Sequence, residues 1–150
     1  MLDPYGLQLN WDVVVAAGKS RAIDLFLNFP IMDMNRRALW SAPDRVTTSQ
    51  AAPMTSFWGD DSWRRVAYRP AAQGNLFGDA TTEKASNEDV VRAFQRRLVD
   101  VAGFKNVPAP MPMRNSTKSV VYYLFFASQN DVANKIVEHI FQIHGQQGAS

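Results

Sequence analysis

The sequence predicts an α/β fold, a mixed sheet flanked by helices and closed by an antiparallel hairpin. Three observations carry this expectation. Ala22 to Phe29 is an almost unbroken apolar run ended by Pro30, the pattern of a strand buried on both faces. Val120 to Ala127 is dense in Val, Tyr and Phe, and a proline-studded segment precedes it across a short polar turn, as in a hairpin with one edge strand. The segments between these strands carry helical apolar spacing with capping residues at their starts.

Taken in chain order, Asn10 is a good N-cap for a helix through Trp11 to Ala17, and Gly18 is placed to stop it. Asp12 in the first turn and Lys19 just past the last complement the helix dipole. The buried strand Ala22 to Phe29 comes next, so residues 3–29 read as strand end, helix and strand, one right-handed crossover. Residues 33–68 look helical in pieces. Asp33 can cap Met34 to Trp40, Pro43 interrupts, and Thr47 or Thr48 can start a helix reaching Phe57-Trp58 before Gly59, although Pro53 falls inside it. Asp60 or Asp61 can then cap a short turn from Trp63 to Tyr68. Trp40, Trp58 and Trp63 crowd this segment, and a hydrophobic cap packed on the sheet is preferred over an aromatic wall for a substrate base.

From Pro70 to Ser86 periodicity is lost in favour of Ala, Gly, Asn, Thr and Asp, which reads as a flexible loop, either a lid or disorder. A well-marked helix follows. Ser86 or Asn87 caps it, Glu88 and Asp89 fill its first turn, and Val90, Val91, Phe94, Leu98 and Val101 form one face, with Gly103 as stop and Arg92, Arg96 and Arg97 on the other side. Phe104 to Met113 is expected as an edge strand, because Pro108, Pro110 and Pro112 remove alternate ladder donors. Arg114 to Thr117 turns the chain into Val120 to Ala127. Ser128 or Asn130 then caps a helix whose apolar face carries Val132, Ile136, Ile140 and Ile143.

Composition bounds the chemistry. The 150 residues suit one domain, 1–150, with a helical insertion at 33–68 and the loop at 70–86. With no cysteine, disulfides and thiolate zinc sites are excluded. His139 and His144 are five apart, which does not stack them on one helical face, so solvated histidines are preferred to a metal pair and no metal site is expected. No apolar run approaches the roughly 18 residues of a membrane span, and no signal-peptide pattern is seen, so no membrane partner and a cytoplasmic location are expected. Net charge is +2, yet arginine outnumbers lysine by 11 to 5 and comes in pairs or at helical spacing. Arginine suits bidentate phosphate recognition, so a nucleic-acid partner is considered. A solvated basic surface is preferred, since acids such as Asp60, Asp61, Glu88 and Asp89 interrupt the pairs.

The residues that point to chemistry are Asp3-Pro4-Tyr5-Gly6. In such a turn the acidic oxygen and a proline-flanked carbonyl can accept hydrogen bonds from an amine, and the aromatic ring offers a stacking face. Amino-directed methyltransferases place a turn of this kind over the nitrogen they methylate, usually with two prolines where this chain has Pro4 alone. Only Met1 and Leu2 precede the turn, and no Gly-x-Gly loop follows, so the chain is read as the carboxyl-terminal part of a larger protein. The element order resembles the second half of a Rossmann-like, class I methyltransferase-like sheet. More closely, the chain resembles the three-Cys-motif partner proteins, larger bacterial and phage-associated proteins. The resemblance rests on Asp3 to Leu7, on Ile23-Asp24 through Pro30 with Asn35-Arg36, on Phe57-Trp58-Gly59-Asp60 with Trp63-Arg64, and on Tyr122 to Ser128.

That resemblance implies a three-Cys-motif protein as partner. The likeness of the Asp3-Pro4-Tyr5-Gly6 turn to that of amino-directed methyltransferases implies Asp3, Pro4 and Tyr5 as catalytic candidates in the full-length parent only, with Gly6, Asn35 and Arg36 as substrate-binding candidates. The isolated chain is expected to work as a non-catalytic scaffold or partner-binding module and to hold no cofactor; the alternative is part of an amino-methyltransferase whose S-adenosylmethionine belongs to the parent. Missing upstream strands would also leave an open sheet edge beside Ile23 to Phe29, and a homo-oligomer through that edge is expected.

Overall fold

A computed structural model of the chain describes residues 9–39, 47–70 and 82–147. Among them are six helices and five strands, in the order α1 (Trp11–Ser20), β1 (Leu25–Phe29), α2 (Ile31–Arg37), α3 (Thr48–Trp58), α4 (Trp63–Ala67), β2 (Tyr68–Pro70), β3 (Thr82–Lys84), α5 (Asn87–Asp100), β4 (Met111–Arg114), β5 (Val120–Ala127) and α6 (Asp131–Gln147). The fold is mixed α/β. Its three-stranded sheet has the order β1-β5-β4 and is antiparallel in both pairings, and β2 and β3 form a separate antiparallel pair.

The sheet corrects two expectations. β1 lies at one end of the described order rather than inside it, and its burial alternates: Leu25, Leu27 and Phe29 face the core while Phe26 and Asn28 are half-buried. Period-two burial marks a strand with one well-covered face, whereas the apolar run had suggested two. The interior strand is β5, which pairs Leu27 with Phe125 through β1 and Pro112 with Tyr123 through β4. The hairpin of β4 and β5 is as expected, but β4 is shorter than the proline-rich segment. Before Met111 only Asn106 bridges to the sheet, through reciprocal backbone bonds with Ser128, because Pro108 and Pro110 have no N–H to continue a ladder. The parallel partner expected near Met1 and Leu2 lies outside the described residues.

Helix boundaries follow local chemistry. Asn10 caps α1 by accepting from the Asp12 N–H at 2.9 Å. The helix then passes through Gly18, the expected stop, and ends at Arg21 in the left-handed region. Gly18 is needed inside the helix for a different reason: a Cβ there would lie 2.0 Å from the Ala102 carbonyl oxygen, so its absence lets α1 pack on the turn after α5. α2 begins straight after Pro30, placing Asp33 in its first turn instead of at its cap, and Trp40 and Pro43 lie outside the described residues. α3 opens with a capping box in which Thr47 and Gln50 satisfy each other's backbone amides, and the helix continues through Pro53 to Trp58.

The segment read as a loop from Pro70 to Ser86 starts and ends in paired strands, Tyr68 opposite Lys84, with the Ala85 N–H bonded to the Ala67 carbonyl; residues 71–81 lie outside the described residues. Ser86 caps α5 by a capping box with Asp89. Val101, expected on the apolar face of α5, is 49% exposed because it falls past the last helical turn.

One aromatic cluster holds the layers together. Phe94 of α5 packs against Trp11, Phe29, Phe57, Trp58 and Phe125, with ring centroids 4.8–5.7 Å apart across this group. It therefore joins α1, α3, α5 and the inner face of the sheet. Gln129 ties the periphery, donating to the Gly18 and Gly103 carbonyls and accepting from the Lys105 N–H. No described helix is long and apolar enough to cross a membrane.

Candidate functional site

The residues of α3 explain where the molecule opens. Thr48, Ala51, Ala52, Thr55 and Ser56 recur at i, i+3, i+4, i+7 and i+8, so one face of the helix carries only small side chains. Opposite this face stands the first turn of α1. Between them lies an open cleft of about 520 Å3, lined also by Gly59 and Arg64, a volume within the ordinary range of small-molecule sites. Its polar lining residues come from three elements: Asn10 and Asp12 at the start of α1, Thr48, Thr55 and Ser56 of α3, and Arg64 of α4.

The walls are fixed by aromatic packing. Gly59 adopts φ +107°, ending α3 with its N–H on the Thr55 carbonyl, and a Cβ there would meet the Trp11 ring at 2.3 Å. Trp11 is thereby held at 4% exposure on the floor of the cleft. Arg97 stacks over the same ring. Its guanidinium lies 4.9 Å from the Trp11 ring centre and 5.6 Å from that of Trp58, its Nε donates to the Trp58 carbonyl at 3.0 Å, and Nη2 is 3.6 Å from the Asp60 carboxylate. Asp60 is held below the usual carboxylate range, first by its hydrogen bond with the Ser62 side chain and then by the charges of Arg97 and Arg65, working against partial desolvation. Ser62 and Thr55 accept from the indole N–H groups of Trp58 and Trp63, and Arg64 stacks on the Trp63 ring at 4.6 Å.

These positions sort the candidate residues. Trp58 and Trp63 are 1% exposed and belong to the packed cap, as preferred, while Trp40 lies outside the described residues. Arg97, read as surface decoration beside Arg92 and Arg96, is instead stacked at the edge of the core. Asn35 donates its amide to the Asn87 side chain at 3.0 Å and so joins α2 to the start of α5; Arg36 is exposed, with a guanidinium nitrogen 3.6 Å from the Met32 sulfur. Neither lines the cleft. Asp3, Pro4, Tyr5 and Gly6 lie outside the described residues. His139 and His144 are both exposed on α6, and no group of three metal-ligating side chains is found among the described residues.

Sequence reasoning missed the cleft itself. The available signal was the helical recurrence of small residues in α3 next to a capped helix start, a pattern that also suits plain close packing. Chemically the cleft can pair both signs of charge, with Arg64 on one side and Asp12 on another, and can hydrogen-bond through an amide and hydroxyls. No family model, curated protein or solved structure matches the chain.

Proposed function

We propose that the chain is the carboxyl-terminal part of a class I methyltransferase-like protein of the three-Cys-motif partner kind. In this reading the isolated chain is a non-catalytic scaffold that holds a partner, with the three-Cys-motif protein as that partner. The observation that carries the fold half of the reading is the strand order β1-β5-β4. A hairpin whose second strand inserts antiparallel beside the preceding strand is how a class I methyltransferase-like sheet ends. The scaffold half is supported by the use to which polar groups near the cleft are put. Asn10 caps a helix, Thr55 and Ser62 hold indoles, and Arg97 and Asp60 hold each other.

A second reading, part of an amino-methyltransferase, is favoured by the place of the cleft. Asn10 at its rim is only four positions along the chain from Gly6, a span of at most about 14 Å. In the parent, Asp3 would accept a hydrogen bond from a substrate amine, the Pro4 carbonyl would orient it and Tyr5 would stack on its ring. Catalysis would be mainly positioning of that nitrogen.

Calorimetric titration with a three-Cys-motif protein tests the scaffold reading, and one site per chain is expected. An absence of heat together with separate elution on gel filtration would defeat it. Melting with millimolar S-adenosylmethionine tests the second reading. A ligand at about 100 times its dissociation constant adds roughly 2.7 kcal/mol of stability, so the unchanged melting temperature expected here is a sharp outcome. A rise of several degrees that Arg64→Ala abolishes would move the methyltransferase reading ahead.

A further inference from the structure

The indole N–H groups around the cleft are treated differently. Those of Trp58 and Trp63 donate to Ser62 and Thr55 at 2.9 and 3.0 Å. That of Trp11 has no hydrogen-bond partner among the described residues, although Trp11 is only 4% exposed. An indole nitrogen is a donor only, and burying it unpaired costs free energy. Trp11 Nε1 is not among the polar atoms sealed from solvent without a partner, so it keeps a route to the surface. That route is the cleft. Trp11 and Gly59 both line it, and Nε1 lies 2.8 Å from the point that a Gly59 Cβ would occupy. Glycine at 59 therefore leaves the nitrogen edge of the ring bare, besides ending α3.

Two charges in the same lining are also uncommitted. Arg64 stacks on Trp63, but its guanidinium forms no ion pair or hydrogen bond among the described residues, and neither does the Asp12 carboxylate. Nearby polar groups are in use: Asn10 caps α1, Thr55 and Ser62 hold indoles, and Asp60 pairs with Arg97. Left over around one opening of about 520 Å3 are a buried donor, a guanidinium and a carboxylate.

We propose that the cleft binds a small zwitterion of the α-amino-acid class, its carboxylate accepting from the Trp11 indole N–H and from Arg64 and its ammonium pairing with Asp12. The donors select the carboxylate, because an indole N–H and a guanidinium can meet only acceptors, and the arginine fork matches the two oxygens of a carboxylate. Asp12 selects the second group. A phosphate dianion would face that carboxylate with a single arginine as counter-charge, and a neutral ligand would strip water from two charges and pair neither. The ligand's own side chain has room beside Ala51 and Ala52, which line the opening. The assignment rests on neither reading of the parent protein, scaffold or methyltransferase, and its failure would leave both standing.

The chain has four tryptophans, so a nitrogen-15 correlation spectrum resolves each indole N–H, and backbone assignment identifies that of Trp11. Titration with the standard L-amino acids at millimolar concentration should move the Trp11 peak downfield as it gains an acceptor. The peaks of Trp58 and Trp63, already bonded, should stay in place. For the amino acid that binds best, Arg64→Gln and Asp12→Asn should each raise the dissociation constant about tenfold or more. Both side chains are exposed, so the circular dichroism spectrum should not change. The N-acetylated and decarboxylated forms of that amino acid should bind the wild type about tenfold more weakly or worse. A Trp11 peak that no amino acid moves overturns the proposal, as does one that moves equally in Arg64→Gln. An N-acetylated acid that binds as well as its parent would remove Asp12 from the site and overturn the zwitterion. Inorganic phosphate that displaces the amino acid at lower concentration would assign the cleft to phosphate instead.

Discussion

Gly59→Ala should be among the most damaging small substitutions in this chain. Two costs combine at the site. The residue sits at φ +107°, where an L side chain costs roughly 1–2 kcal/mol. Its new Cβ would also stand 2.3 Å from Trp11 Cδ1, and Trp11 has little room to yield between Phe94, edge-on at 5.6 Å, and the Arg97 guanidinium at 4.9 Å. Forcing extra volume into a packed site costs about 1–3 kcal/mol, so the whole change is about 2–5 kcal/mol. For a chain of 150 residues this corresponds to a fall in melting temperature of roughly 5–15 °C. Thermal denaturation followed by circular dichroism measures it, and Gly103→Ala is the internal control. Gly103 also has positive φ, +85°, but nothing lies within 4 Å of its would-be Cβ, so only the backbone cost of roughly 1–2 kcal/mol is expected there. Equal losses at the two glycines would refute the clash with Trp11. So would a Gly59→Ala loss that persists undiminished in a Trp11→Ala background, where coupling of about 1–3 kcal/mol is expected.

Arg97→Met keeps the length of the side chain but removes the stacked charge, the bond to the Trp58 carbonyl and the Asp60 pair; a loss of about 2–3 kcal/mol is expected from urea midpoints, and a loss below about 0.5 kcal/mol would mean that apolar packing of the stem is what matters. Acid sensitivity follows from Asp60 and Asp131, both held below the usual carboxylate range, Asp131 by its bonds from Asn106 and Lys105. Because their folded pKa values are depressed, the stability they add is present above the unfolded value near 3.9 and is lost as pH falls through the folded values. Melting temperatures should therefore hold from neutrality to about pH 5 and drop below about pH 4, with Asp60→Asn/Asp131→Asn shallowing that acid limb; an unchanged limb in the double variant would assign it to other carboxylates.

Elements whose cause is local were legible in the chain alone. Asn10, Thr47 and Ser86 start helices because their side chains satisfy amides two or three residues on, wherever the helix later packs. Val120 to Ala127 is a strand from end to end, since branched and aromatic side chains favour a pleated backbone next to almost any neighbour. What the sequence could not supply were choices between alternatives of equal local merit. Gly18 and Gly59 look alike as helix stops, yet only the approach of Ala102 keeps the first inside its helix while the Trp11 ring demands the second at a left-handed end. Arg97 belongs to an arginine face by spacing, and it is the tertiary meeting of Trp11 and Trp58 that draws it in. The apolar run of β1 fits burial on two faces or on one, and the number of covering layers was decided by where α6 came to rest, over β4 and β5. The same docking angle decided that Val132, Ile136, Ile140 and Ile143 stay exposed: periodicity determines that a helix has an apolar face, and only packing determines how much of that face the fold itself uses.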